Sequence, residues 1–170
     1  MKKILVLTYS LFAFALIATA QRYAVVDTKY ILDKMPDYKE AQKKLDQVSE
    51  QWQKEIEAKQ AELDKMYKDF EAEQVMLSDV LKKKREDEIF IKEKETRELQ
   101  RKRFGFEGDL FKKRQELVKP VQDKVYNAIQ KIAVARQYDF ILDKSEGITV
   151  IFADPKLDKS EDVLRELGVK

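Results

Sequence analysis

With 170 residues, neither histidine nor cysteine, and 34 basic against 32 acidic side chains, the chain lacks the commonest general base, the usual zinc ligands, thiolate chemistry and any disulfide framework. Charged residues make up 39% and apolar ones 44%, with four glycines and three prolines, a balance that suits long charged helices better than disorder or a compact enzyme. No glycine-rich phosphate loop and no EF-hand pattern occurs, so no cofactor is expected.

Lys2 and Lys3 precede an apolar run from Ile4 to Ile17 that closes on Ala18-Thr19-Ala20. This order reads as a signal peptide over residues 1–20, cleaved before Gln21. Its removal takes two lysines and no acid, leaving 32 basic and 32 acidic residues. A neutral exported chain gives no support for a nucleic-acid partner.

Tyr23-Ala24-Val25-Val26 reads as a short buried strand, with a helical turn after Asp27 and Thr28. Pro36 suits a first helical position, and Asp37 and Glu40 complement the helix dipole. From there a heptad appears, Tyr38, Leu45, Trp52, Lys59, Met66 and Glu73 in one series and Gln42, Ser49, Ile56, Leu63, Phe70 and Leu77 in the other. Polar residues at seam positions weaken its packing. Ser78 is placed to cap a second limb, with the tip near 76–80.

The limbs 37–77 and 79–119 hold 41 residues each, so either could reach about 60 Å as an unbroken helix. The first carries 7 basic and 11 acidic residues and the second 14 and 10, which favours antiparallel pairing. Seven of the acid-then-base pairs at spacing four, Glu50/Lys54, Glu55/Lys59, Asp64/Lys68, Glu88/Lys92, Glu93/Arg97, Glu98/Lys102 and Asp109/Lys113, are expected to add about 0.2–0.5 kcal/mol each.

Two features of the returning limb stand out. The basic cluster Lys82-Lys83-Lys84-Arg85, with Arg101-Lys102-Arg103, either complements the acidic limb or attracts anionic membrane lipids or acidic clients. Gly105 and Gly108 are disfavoured inside a helix and mark a kink or hinge. Met76, Val80, Ile89, Phe90, Ile91, Phe104 and Phe106 cannot all face one seam. Those left outside are candidates for weak, many-point contact with an unfolded chain.

After Pro120, Val121, Val125, Ala128, Ile132 and Ala135 give a helix with one buried stripe. Residues 138–143 and 148–152 flank Ser145-Glu146-Gly147 and read as a β-hairpin, and a last helix over about 159–167 carries Asp158 and Glu161 at capping-box spacing. Residues 21–36 and 120–170 would then form a small discontinuous body. A body of that size is marginal alone and has open strand edges, so a homo-oligomer is expected, with Val25, Val26, Phe140, Ile141, Leu142, Val150 and Ile151 as candidates for its core and its joints.

The order of signal segment, strand Ala24-Val25-Val26-Asp27, helical hairpin, segment Tyr138-Asp139-Phe140-Ile141-Leu142-Asp143 and closing helix Asp162-Val163-Leu164 resembles the Skp/OmpH family of periplasmic chaperones. The resemblance implies an α+β, mostly α fold. Three copies would join β-rich bodies into a homotrimer whose long antiparallel arms enclose unfolded outer-membrane proteins without ATP. It implies no catalytic residue and no metal. A structural or adaptor coiled coil of the cell envelope is the alternative, and it would call for a tighter seam.

Overall fold

The structure, a computed structural model, describes residues 21–145, 147 and 150–169. The signal segment expected over residues 1–20 lies outside them. In chain order the elements are β1 (Tyr23–Val26), α1 (Thr28–Lys34), α2 (Pro36–Glu73), α3 (Asp79–Phe104), α4 (Asp109–Leu117), α5 (Lys119–Arg136), β2 (Phe140–Asp143), a 3-10 turn (Pro155–Leu157) and α6 (Ser160–Glu166). They divide into two compact units, one ending at Ile31 and resuming at Val125, the other Leu32–Lys124.

In the first unit the apolar run of β1 lies in the middle of what pairing there is. On one side it meets β2 in parallel, with Tyr23 opposite Phe140 and Val26 opposite Asp143. On the other, Val25 bridges to Asp158, and the Lys159 amide donates to the Val25 carbonyl at 2.9 Å. A strand flanked on both edges is buried, which is why Ala24, Val25 and Val26 are all apolar. Ile31 from α1, Val125, Ala128 and Ile132 from α5, and Val163 and Leu164 from α6 complete this core. Burying each of the larger ones stabilises the unit by roughly 2 kcal/mol.

Among the described residues the expected β-hairpin does not form. β2 takes β1 as its partner, and Val150, Ile151 and Phe152 belong to no strand. Residues 146, 148 and 149 of that expectation lie outside the described residues. Pairing with β1 occupies only one edge of β2, and on the other side Ile151 and Phe152 are 95% and 83% exposed, so nothing packs on that run to hold it as a strand. High strand propensity without a surface to pack on does not fix a strand.

The closing helix follows its sequence signals with one change. Gly168 exits at φ +73°, and the Val169 amide returns to the Leu164 carbonyl at 2.9 Å, the pattern of a glycine stop. Asp158 Oδ1 accepts from the Ser160 amide at 2.9 Å. Glu161 makes no reciprocal capping bond, because its carboxylate accepts from the Tyr30 hydroxyl at 2.6 Å instead. That bond, first among the causes, raises the Tyr30 pKa.

In the second unit α2 starts on Pro36, as its fixed φ favours, and runs 38 residues, about 57 Å. Contacts with the returning chain pair Glu73 with Arg85, Glu62 with Lys92 and Glu55 with Arg103. One index falls as the other rises, so α2 and α3 run antiparallel. Leu45, Ile56 and Leu63 are buried on α2, and Ile89 and Thr96 on α3. The turn spans 74–78, and Ser78 holds the N-cap position of α3 without a side-chain capping bond.

The returning limb is not one helix. α3 stops at Phe104 and α4 begins at Asp109, so the two glycines bracket the interruption. Their role is steric, since neither has a positive φ. A Cβ on Gly105 would stand 2.3 Å from the Arg101 carbonyl oxygen, and one on Gly108 2.7 Å from that of Lys102. Between them Glu107 takes a left-handed φ of 54°.

Candidate functional site

An exposed apolar cluster occupies the turn of the second unit. Val75, Met76 and Val80 are 87%, 82% and 80% exposed, and Leu81 stands half in solvent. The local sequence explains it. Residues 74–78 form the turn between α2 and α3, where side chains have no facing limb to pack on, and Val80 sits in the first turn of α3 off the seam. Further along, Phe90, Ile91, Phe106 and Phe111 are exposed. None of these packs into the helix pair, and each presents apolar area to whatever chain arrives.

Two of the sequence candidates are placed differently. Ile89 is buried, at 5% exposure, because it takes the α3 seam position seven before Thr96. Phe104 is half-buried. Met76, Val80, Phe90, Ile91 and Phe106 remain on the surface.

The basic candidates differ in exposure and in pairing. Lys83, Lys84, Arg101 and Lys102 are exposed, and Lys82 is half-buried. Arg85 is drawn to Glu88 at 3.3 Å and Glu73 at 4.0 Å. Arg103 belongs to the packing between helices: its guanidinium lies 4.8 Å from the centre of the Trp52 ring, donates to Asp109 Oδ2 at 2.7 Å and to Glu55 Oε2 at 3.2 Å. An arginine's planar fork allows all three contacts at once.

Of the seven spaced ion pairs, Glu50–Lys54 and Glu93–Arg97 form. Glu55, Lys92 and Asp109 turn instead to partners elsewhere in the fold. Spacing along one helix does not reveal a partner across the seam, and that is why these ties are missing from the sequence reading. The Lys92–Glu62 bond, at 2.8 Å, is the leading cause that raises the lysine pKa and lowers that of the glutamate. Thr96, though buried, is satisfied by donating to the Lys92 carbonyl at 2.9 Å. The seam is therefore partly polar but hydrogen-bonded.

In the first unit, Val25 and Val26 are buried within the chain itself, while Phe140 stacks on Tyr23 at 5.7 Å, both rings half in solvent. Ile141, Leu142 and Val150 are half-buried and Ile151 is fully exposed. An open recess of ≈ 650 Å³ lies beside them, lined by Val25, Tyr30, Val150, Ile151, Phe152 and Pro155 among others.

Carboxylates hold the ends of these strands together. Asp143 accepts from the Thr28 hydroxyl at 2.5 Å, the Thr28 amide at 3.2 Å and the Ser145 amide at 3.0 Å. Asp158 accepts from Lys144 at 2.7 Å and from the Ser160 amide. Burial pushes both pKa values up, but these bonds outweigh it and hold each carboxyl below its ordinary 3.8. The stabilisation is therefore fully present above that ordinary value and is lost as pH falls from there through the lower folded values. We expect the melting midpoint to drop as pH falls below about 4, and Asp143→Asn to melt lower at pH 7 with a shallower acid drop. Equal slopes for variant and parent in circular-dichroism melts would contradict this role.

Among the described residues no group of three or more acidic side chains is placed to hold a metal, and no helix is long and apolar enough to cross a membrane.

The model of the outer membrane protein (OmpH-like) family matches residues 22–167. No curated protein matches the chain. A crystal structure from Caulobacter crescentus CB15, described as that of a candidate outer membrane chaperone (OmpH-like), superposes with a TM-score of 0.68 at 15% identity, covering 88% of this chain and 85% of that one. At that identity the likeness speaks for the fold. With the family match spanning nearly all of the described residues, the chain belongs to the OmpH-like outer membrane protein family.

Proposed function

We propose that this protein is an ATP-independent periplasmic holdase. Three copies associate through their first units, and their helical limbs surround an unfolded outer-membrane protein and keep it from aggregating. The OmpH-like family is not a family of enzymes, and the family match together with a structural neighbour described as a candidate outer membrane chaperone supports a chaperone role. The observation that carries the holdase reading is the exposed apolar cluster of Val75, Met76, Val80 and Leu81 on otherwise charged helices. Apolar groups spaced among charges bind many sequences weakly, and none of them tightly enough to trap a client.

Association through the first unit is supported by Ile151 and Phe152, two large apolar side chains left in solvent beside an open recess. A second copy is the simplest cover for them. A purely structural coiled coil fits less well, because the seam places Lys92, Thr96 and Arg103 where a rod would carry leucine or isoleucine. Weak attraction of Lys83, Lys84, Arg101 and Lys102 to anionic membrane lipids is a secondary part of the proposal.

The test is to dilute a urea-unfolded outer-membrane β-barrel protein into buffer containing the exported protein and no nucleotide. Light scattering from aggregation is expected to be suppressed as the ratio approaches one oligomer per client. Unchanged scattering at any ratio would refute the holdase.

A further inference from the structure

We propose that Arg103 is a releasable latch that holds the interruption of the returning limb in its closed form. The inference goes beyond the chaperone reading and needs it only for its consequence. Arg103 sits in the last turn of α3, one residue before Phe104 ends the helix. Asp109, its partner at 2.7 Å, is the first residue of α4. Glu55 and Trp52, its other partners, lie one turn apart on α2. One guanidinium thus ties together the two helices that flank the break and the helix on which both rest.

Closure is specific. The side chains of Arg103 and Asp109 retain 22% and 24% of their exposure, and Glu55 40%, so this pair of bonds is screened less than the open ion pairs along the limbs, such as Glu50–Lys54 at 67% and 70%. Both ends of the interruption carry glycine where a side chain would strike backbone carbonyls, so no methyl group there can hold the turn by packing. The Arg103 fork supplies the tie instead.

Closure is also incomplete. The Nε of Arg103 is buried with no hydrogen-bond partner among the described residues. A buried donor without an acceptor carries a penalty that disappears when the guanidinium swings into water. The closed form is therefore held by two charge-assisted bonds and a ring stack against a standing cost, which is the condition for a catch that opens locally. Opening frees residues 104–118 from α2 and uncovers Trp52 together with the half-buried Phe104 and Leu110. In a holdase those groups would enlarge the apolar surface offered to a client.

Trp52 is the single tryptophan of the chain, so its fluorescence reports the latch directly. We would compare the purified exported protein with Arg103→Lys, which keeps the charge and loses the fork, and with Asp109→Asn, which keeps the shape and loses the charge. The latch is expected to give faster amide hydrogen exchange over 104–118 in both variants, by about tenfold or more. Trp52 should also become more accessible to acrylamide, while exchange over 79–100 stays as in the parent. Should Arg103→Lys fail to fold, Asp109→Asn carries the same expectation alone. Unchanged exchange over 104–118 would overturn the latch, as would an equal acceleration throughout the protein, which would make Arg103 an ordinary stabilising contact. Neither readout involves a client, so the chaperone reading and the latch can fail separately.

Discussion

Replacing Val75, Met76, Val80 and Leu81 together with serine is expected to weaken capture of an unfolded β-barrel protein by roughly a hundredfold, with the melting midpoint within about 2 °C of the parent's. The two expectations come from one observation. Side chains that are about 80% exposed or more, as three of these are, lose little when the chain folds, so their removal costs the fold little. On contact with a client each can bury part of its surface, at about 0.7 kcal/mol apiece, or near 3 kcal/mol for the four. A matched control separates binding from folding: Leu63→Ala, at a seam position only 3% exposed, should lose about 2–5 kcal/mol of stability and unfold the hairpin before it alters the contact surface. Undiminished affinity in the fourfold variant, measured by fluorescence titration of a labelled client, would move the contact away from the turn.

The second large effect is expected at the interruption. Gly105→Ala combined with Gly108→Ala should lower stability by about 1–3 kcal/mol. Two opposed terms decide the sign. Alanine favours helix over glycine by about 1 kcal/mol at each position, which would reward a limb that straightened. Straightening, however, shifts Asp109 away from Arg103 and lifts α4 from α2, whereas keeping the present turn drives a Cβ to within 2.3 Å of a backbone carbonyl. Either route loses more than the propensity returns. Denaturant melts followed by far-ultraviolet circular dichroism check this, and higher stability with higher helix content would show that the break is dispensable. If the limb does straighten, the stiffer arm should hold a narrower range of client sizes.

What the sequence made legible was whatever depends on periodicity and on local chain chemistry. Pro36 opens α2 and the glycines at 105 and 108 break the returning limb, each through a backbone property that a single residue type confers, whereas Ser78 stands at the start of α3 without the side-chain bond expected of it. The seven-residue spacing of Ile56 and Leu63 on α2 places them in the seam because the helical repeat alone fixes their face. Partners distant in sequence were not legible. β1 and β2 pair in parallel across more than a hundred residues, and nothing in Phe140–Asp143 distinguishes that partner from the nearer apolar run at 150–152. Equally, an arginine in a basic tripeptide looks like surface charge until the fold brings Trp52, Glu55 and Asp109 around it. Ile89 shows the same limit within a triplet of apolar residues, where the facing helix selects the one that is buried.

The most direct test of the account is the mass of the assembled particle. The chain from Gln21 onward, mixed with a urea-unfolded outer-membrane β-barrel protein without nucleotide, would be passed through size exclusion with multi-angle light scattering. A soluble complex of three chains and one client is the predicted result. A peak at the mass of a single chain, with the client lost as precipitate, would contradict it.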